Sequence, residues 1–100
     1  MSELCLTLLC PPAVEEKLLD LLLLSPHAAM FTSTATAVHD LTFGALSQME
    51  QVLGQAHATQ IQVFCTAQEK AALLEQVRAR FIGAGLRYWV TPVIEMGELA

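Results

Sequence analysis

Positive charge is scarce in this chain: five Lys and Arg stand against ten Asp and Glu, a net charge of −5. The five are scattered and form no cluster. A nucleic-acid partner needs a basic face against its phosphates, and an anionic membrane surface asks for the same. Neither partner is expected. Long apolar runs are missing too. Leu21 to Leu24 is the longest leucine run, in a segment bounded by Asp20 and Pro26, far short of the ~20 apolar residues that cross a bilayer. Met1-Ser2-Glu3 carries no positive start of the secretory kind. Cys5, Cys10 and Cys65 are odd in number and make no C-x-x-C pair, as expected of reduced thiols in a cytoplasmic protein. Catalytic signatures are equally thin: there is no H-E-x-x-H, no phosphate loop, no ordered Ser, His and Asp set and no coherent carboxylate pair, so an enzyme is not the first expectation.

Apolar residues are plentiful. They make up 54% of a chain of 100 residues, against 15% charged, enough to build one domain over residues 1–100 with a buried core. A domain this small has more surface than core, so part of that apolar surface is expected at a subunit interface.

Leu4 to Cys10 is apolar on both alternating faces and reads as a strand covered on both sides. Pro11-Pro12 ends it and opens a helix, since a proline in the first turn loses no hydrogen bond. Glu15 and Glu16 suit the positive end of that helix. Val14, Leu18, Leu21, Leu22 and Ser25 form its inward stripe, with Leu19 and Leu23 on the far side. Met30 to His39 is a second, polar strand and Thr59 to Cys65 a third. Thr66-Ala67-Gln68-Glu69 is a capping box that starts a second helix. It runs through Leu74, Val77 and Phe81, carries Arg78 and Arg80 near its end and stops at Gly83. Leu86 to Ile94 is the last strand, and Pro92 within it implies a sheet edge or a bulge.

The order βαββαβ predicts an α+β, ferredoxin-like fold: a four-stranded antiparallel sheet with two helices on one face. Cys5, Leu9, Phe64, Trp89 and Val93 fall on the other face and would meet water in a monomer, which points to packing between subunits.

Between the second and third strands, residues 40–57 are too many for a hairpin turn. Ser47-Gln48-Met49-Glu50 repeats the capping-box pattern, and Leu46, Met49 and Leu53 share a helical face. This segment is either a local helix folded back on the domain or an arm for a partner, with Phe43, Leu46 and Met49 as deformable anchors. His39 and His57 bracket it and face each other or lie diagonally across the ladder; with Asp40 they are a candidate divalent-metal set. The plainer use of such histidines is hydrogen bonding to solvent. Cys10 and Cys65 end strands expected to run side by side and parallel, each before a helix N-terminus. They are expected either to approach each other with lowered pKa values or simply to be buried as small hydrophobes.

Two stretches carry a family resemblance. One is Ile82-Gly83-Ala84-Gly85-Leu86-Arg87-Tyr88-Trp89-Val90-Thr91-Pro92-Val93 with the tail Glu95-Met96-Gly97-Glu98-Leu99; the other is Cys10-Pro11-Pro12. Together with the element order they resemble the PII signalling superfamily, in a PII-like branch often encoded beside heavy-metal efflux pumps. The resemblance implies a homotrimer with ligand sites in clefts between subunits, at Gly83, Gly85, Arg87 and Asp40. It also implies a regulatory protein that senses a small ligand or metal ion and acts on a membrane metal-efflux transporter. ATP-binding members carry an acidic residue and a lysine in the glycine turn, where this chain has Ala84 and Leu86. Binding of ATP in that mode is expected to be weak or absent, and a divalent metal is the other ligand expected. Two further readings stand beside this one: a direct divalent-metal-binding tolerance protein, and a small ferredoxin-like enzyme with a histidine base in a closed cavity.

Overall fold

The computed structural model describes residues 3–39 and 56–100. Along the chain they form β1 (Leu4–Cys10), a 3-10 turn (Pro12–Val14), α1 (Glu15–Leu24), β2 (Met30–Val38), β3 (Ala56–Cys65), α2 (Ala67–Arg80) and β4 (Arg87–Pro92). The strands make one sheet in the order β2-β3-β1-β4, each neighbouring pair antiparallel. This is the expected ferredoxin-like arrangement.

The helices cover one face. Leu6, Leu8 and Cys10 of β1 alternate onto it and meet Ile61, Val63 and Cys65 of β3, with Leu18, Leu21 and Leu22 of α1 and Leu73, Leu74 and Val77 of α2 packed above. Each fully buried leucine here is worth roughly 1.5–3 kcal/mol by area. Leu19, expected outside the stripe, is half-buried and packs against this cluster. Leu23 and Leu24 stay exposed.

Local chemistry fixes the helix ends. The Thr66 hydroxyl accepts from the Glu69 amide at 3.1 Å, and the Glu69 carboxylate accepts from the Thr66 amide at 2.9 Å, the reciprocal box anticipated from sequence. That backbone donor holds the Glu69 carboxyl below its ordinary pKa. At the end of α1 the Ser25 hydroxyl accepts from the His27 amide at 3.2 Å and donates to the Gln76 side chain at 3.2 Å, tying the two helices together. The Thr59 hydroxyl donates to the Glu15 carboxylate and anchors the start of α1 to β3.

Two expectations are corrected here. β1 and β3 are antiparallel, with Cys10 opposite Thr59 and Cys65 opposite Leu4, so the two thiols lie at opposite ends of the pair. The β2–β3 hairpin forces this: β2 runs parallel to β1 and β3 returns between them. The thiols are also not activated. Burial pushes Cys10 up to about 11, reinforced by the nearby Glu15 carboxylate, and burial likewise raises Cys65. Desolvation outweighs any helix dipole.

The open face is also less apolar than expected. Its rows read Met30, Phe64, Cys5, Thr91; then Thr32, Gln62, Thr7, Trp89; then Thr34, Gln60, Leu9, Arg87. Cys5, Thr7 and Leu9 are already buried, because they sit on a central strand between bulkier neighbours on β3 and β4. The apolar groups left to water are Met30 and Trp89, at 52% and 44% exposure.

β4 is an edge strand, which accounts for Pro92: it lies opposite Leu4, and among the described residues no fifth strand asks for its missing N–H. All six of its residues are exposed.

Candidate functional site

The end of α2 and the root of β4 enclose a cleft of about 340 Å³, within the range of small-ligand sites. Its origin is local. α2 terminates with Phe81 as its cap residue, and Gly83 and Gly85 follow at φ of 75° and 79°. Only glycine takes such angles without strain. At Gly85 the backbone also passes close to Pro11, where an added Cβ would come within 3.8 Å of its ring. The two turns swing the chain away from the helix and back into the sheet, and the cleft is the space this reversal leaves.

The floor is apolar: Leu8 from β1, Leu74, Val77 and Phe81 from α2, and Leu86 from the turn. Polar groups stand at its sides. Arg78 donates from Nη2 to the Tyr88 hydroxyl at 3.2 Å, with its guanidinium 5.9 Å from the centre of the tyrosine ring. Arg87, which the register places in the open-face row with Leu9, borders the cleft at the start of β4. Among the described residues no Asp or Glu lines the cleft, although the chain has twice as many acids as bases.

The cleft thus gathers three residues singled out from sequence, Gly83, Gly85 and Arg87. Arg78 and Tyr88 were not among them. Arg78 was legible: Leu74, Val77, Arg78 and Phe81 follow the i, i+3, i+4, i+7 spacing of a core-facing stripe, so a cation sits in an apolar row. Tyr88 follows from the strand period, two residues before Val90 on the helix side of β4.

A second cleft, of about 420 Å³, lies between α1 and α2 and is lined by Lys17, Asp20, Ser25, Gln76 and Arg80 among others. The two clefts share Phe81 and between them hold four of the chain's five cations.

The remaining expected site residues divide in two. Asp40, Phe43, Leu46 and Met49 lie outside the described residues. His57 falls within β3, which begins at Ala56 rather than Thr59, and pairs with Ala37; His39 follows the last residue of β2 and is exposed. By register the two histidines are diagonal neighbours on one side of the hairpin, not directly opposed. Among the described residues no three His, Cys, Asp or Glu side chains gather as a metal would need. None of the histidines, all of which are among the described residues, lines either cleft. No helix among the described residues is long and apolar enough to cross a membrane.

Solved structures share this architecture. A DUF3240 family protein from Shewanella baltica OS155 superposes with a TM-score of 0.79 at 18% identity, covering 100% of this chain and 99% of that one. CPII of Thiomonas intermedia K12, a nitrogen regulatory PII-like protein bound to ADP, AMP and bicarbonate, matches with a TM-score of 0.67 at 17% identity over 93% and 91% of the two chains. CutA of Synechococcus elongatus PCC7942, complexed with Bis-Tris, matches at 0.68 and 16% identity over 94% and 83%. At these identities the likeness establishes the fold, which is that of PII-like and CutA proteins. No curated protein matches the chain. The family model for DUF3240, described as a protein of unknown function, matches residues 1–100, and the chain belongs to that family.

Proposed function

We propose that this chain is a PII-like regulatory protein rather than an enzyme: a homotrimer that takes a small ligand in the cleft between α2 and β4 and relays its occupancy to a partner. The observation that carries the reading is the cleft itself, where Gly83, Gly85 and Arg87 meet Arg78 and Tyr88 over an apolar floor. A strand exposed on both faces borders it, as a subunit contact would require. The structurally similar CPII holds small ligands, which supports a binding role for the fold. The partner suggested by the sequence resemblance is a membrane metal-efflux transporter, reached through residues 40–57.

Calorimetry with ATP, ADP, AMP, bicarbonate and zinc tests this reading. ATP should bind weakly or not at all, because a triphosphate needs several fixed cations or amide donors and the glycine turn supplies neither an acidic residue nor a lysine. A micromolar or tighter constant for ATP would overturn that part. Failure of every small ligand at a site sensitive to Arg78→Gln would overturn the whole. The second reading, direct metal binding, draws on the diagonal placement of His39 and His57. It predicts zinc affinity that a His39→Ala/His57→Ala variant abolishes.

A further inference from the structure

The geometry points to a small organic carboxylate with an apolar body as the ligand of the α2–β4 cleft, its anionic head held by Arg78 and Tyr88 and its body lying on Leu8, Leu74, Val77 and Phe81. This deepens the proposed function and rests on it. Three features of the cleft select that class over a polar polyanion.

The first is charge count. Among the described residues Arg78 and Arg87 are the ionic groups of the lining, and since the register puts Arg87 in the open-face row with Leu9, Arg78 is the cation on the Tyr88 side. A single carboxylate suits a guanidinium, which binds it through two parallel hydrogen bonds. A di- or triphosphate would leave charge unmatched in a chain whose net charge is already −5. The second is the Arg78–Tyr88 pair. Because the tyrosine oxygen accepts from Arg78, its own O–H proton points elsewhere and can be given to an incoming acceptor. Arginine and tyrosine then donate to one anion from two sides. The third is the floor. Leu8, Leu74 and Val77 belong to the buried core, so the floor of the cleft is packed hydrocarbon. A sugar or a nucleobase edge placed there would lose hydrogen bonds to water without replacement, whereas an alkyl or phenyl group gains by leaving water.

Four probes test this on the full-length protein, by calorimetry and by amide and side-chain NMR shifts at Arg78 and Tyr88: octanoate, 1-octanol, inorganic phosphate and AMP. Octanoate should bind and shift both residues, octanol should bind at least ~10-fold more weakly, and phosphate should not compete. Arg78 is exposed, so Arg78→Gln should fold normally; it should weaken octanoate ~10-fold or more while leaving octanol unchanged. Tyr88→Phe should give a smaller loss of the same kind. Equal binding of octanoate and octanol, or octanoate binding indifferent to Arg78→Gln, would overturn the assignment. If AMP binds in an Arg78-dependent way and octanoate does not bind, the ligand class falls while the ligand-sensing role survives. If no probe binds, both fall.

Discussion

The two faces of the sheet are built from the same strands but solved differently. On the helix side, β1 and β3 present Leu6, Leu8, Ile61 and Val63 to a cover made by the chain itself. On the other side, the same strands present Cys5, Thr7, Leu9, Gln60, Gln62 and Phe64, and neither α1 nor α2 lies over them. The open face protects its centre by crowding: the short residues of β1 are shaded by longer ones on either side. What it leaves uncovered is at its edges, Met30 on β2 and Trp89 on β4. A face meant only for water would not need a tryptophan on its rim, and one meant as a second core would not carry a Thr and Gln row. The mixture suits a contact with another chain, where polar groups set register and a few large side chains supply the energy.

Breaking the covered face should cost most. Leu22→Ala removes a fully buried side chain from the cluster and should lower unfolding free energy by about 2–5 kcal/mol in urea titration. A loss below about 1 kcal/mol would mean that α1 is not tightly packed. On the open face, Trp89→Asp should leave the fold intact but undo the proposed assembly, at about 2–3 kcal/mol per subunit for the lost aromatic contact. Light scattering that shows an unchanged mass would remove Trp89 from any interface.

Smaller effects sharpen the contrast between what the chain does for itself and what it leaves to a partner. Thr66→Ala deletes one half of the capping box and should cost about 1 kcal/mol at neutral pH. Glu69 titrates below its ordinary 4.5 because the Thr66 amide favours the carboxylate. Its contribution is therefore complete above that value and fades as pH falls through the lower folded value. The gap between wild type and a Glu69→Ala variant should narrow in acid; a gap constant from neutral pH to pH ~3 would contradict the cap. Least of all, Leu24→Ser at a position 86% exposed should change stability by no more than about 0.5 kcal/mol. A larger loss, or a change in mass, would mark the outer face of α1 as a covered surface.

Most of the fold was legible because its signals are local and repeated. The two-sided apolar run at Leu4 to Cys10, the paired prolines, the Thr66 box and Pro92 each name one element or its place in the sheet. Strand direction was read two ways, antiparallel from the element order and parallel for the two strands that end in Cys10 and Cys65, and the first holds. Whether β1 and β3 run parallel depends on how the hairpin folds back, which no residue of either strand records. Of the two fates expected for Cys10 and Cys65, burial as small hydrophobes is the one found. A helix start beside a cysteine can be read from sequence, but the burial that raises its pKa is a property of the assembled core. In the cleft, the glycines and Arg87 were marked by the family resemblance rather than by any signal of their own. Arg78 and Tyr88 emerge only when periodicity is followed onto the facing surfaces, where an arginine in a leucine stripe and a tyrosine in an edge strand come within hydrogen-bond reach.

Neighbours along β4 bind these regions to one another. Tyr88 lines the cleft and Trp89 stands on the open face, because consecutive strand residues point to opposite sides. A shift of the strand that suits a guest against the tyrosine must move the indole as well. If copies of the chain meet through that indole, ligand uptake and assembly cannot be independent quantities; each must bias the other by an equal free energy. Dissociation constants measured at several protein concentrations would then differ, and dilution would be felt inside a pocket that no second chain needs to touch.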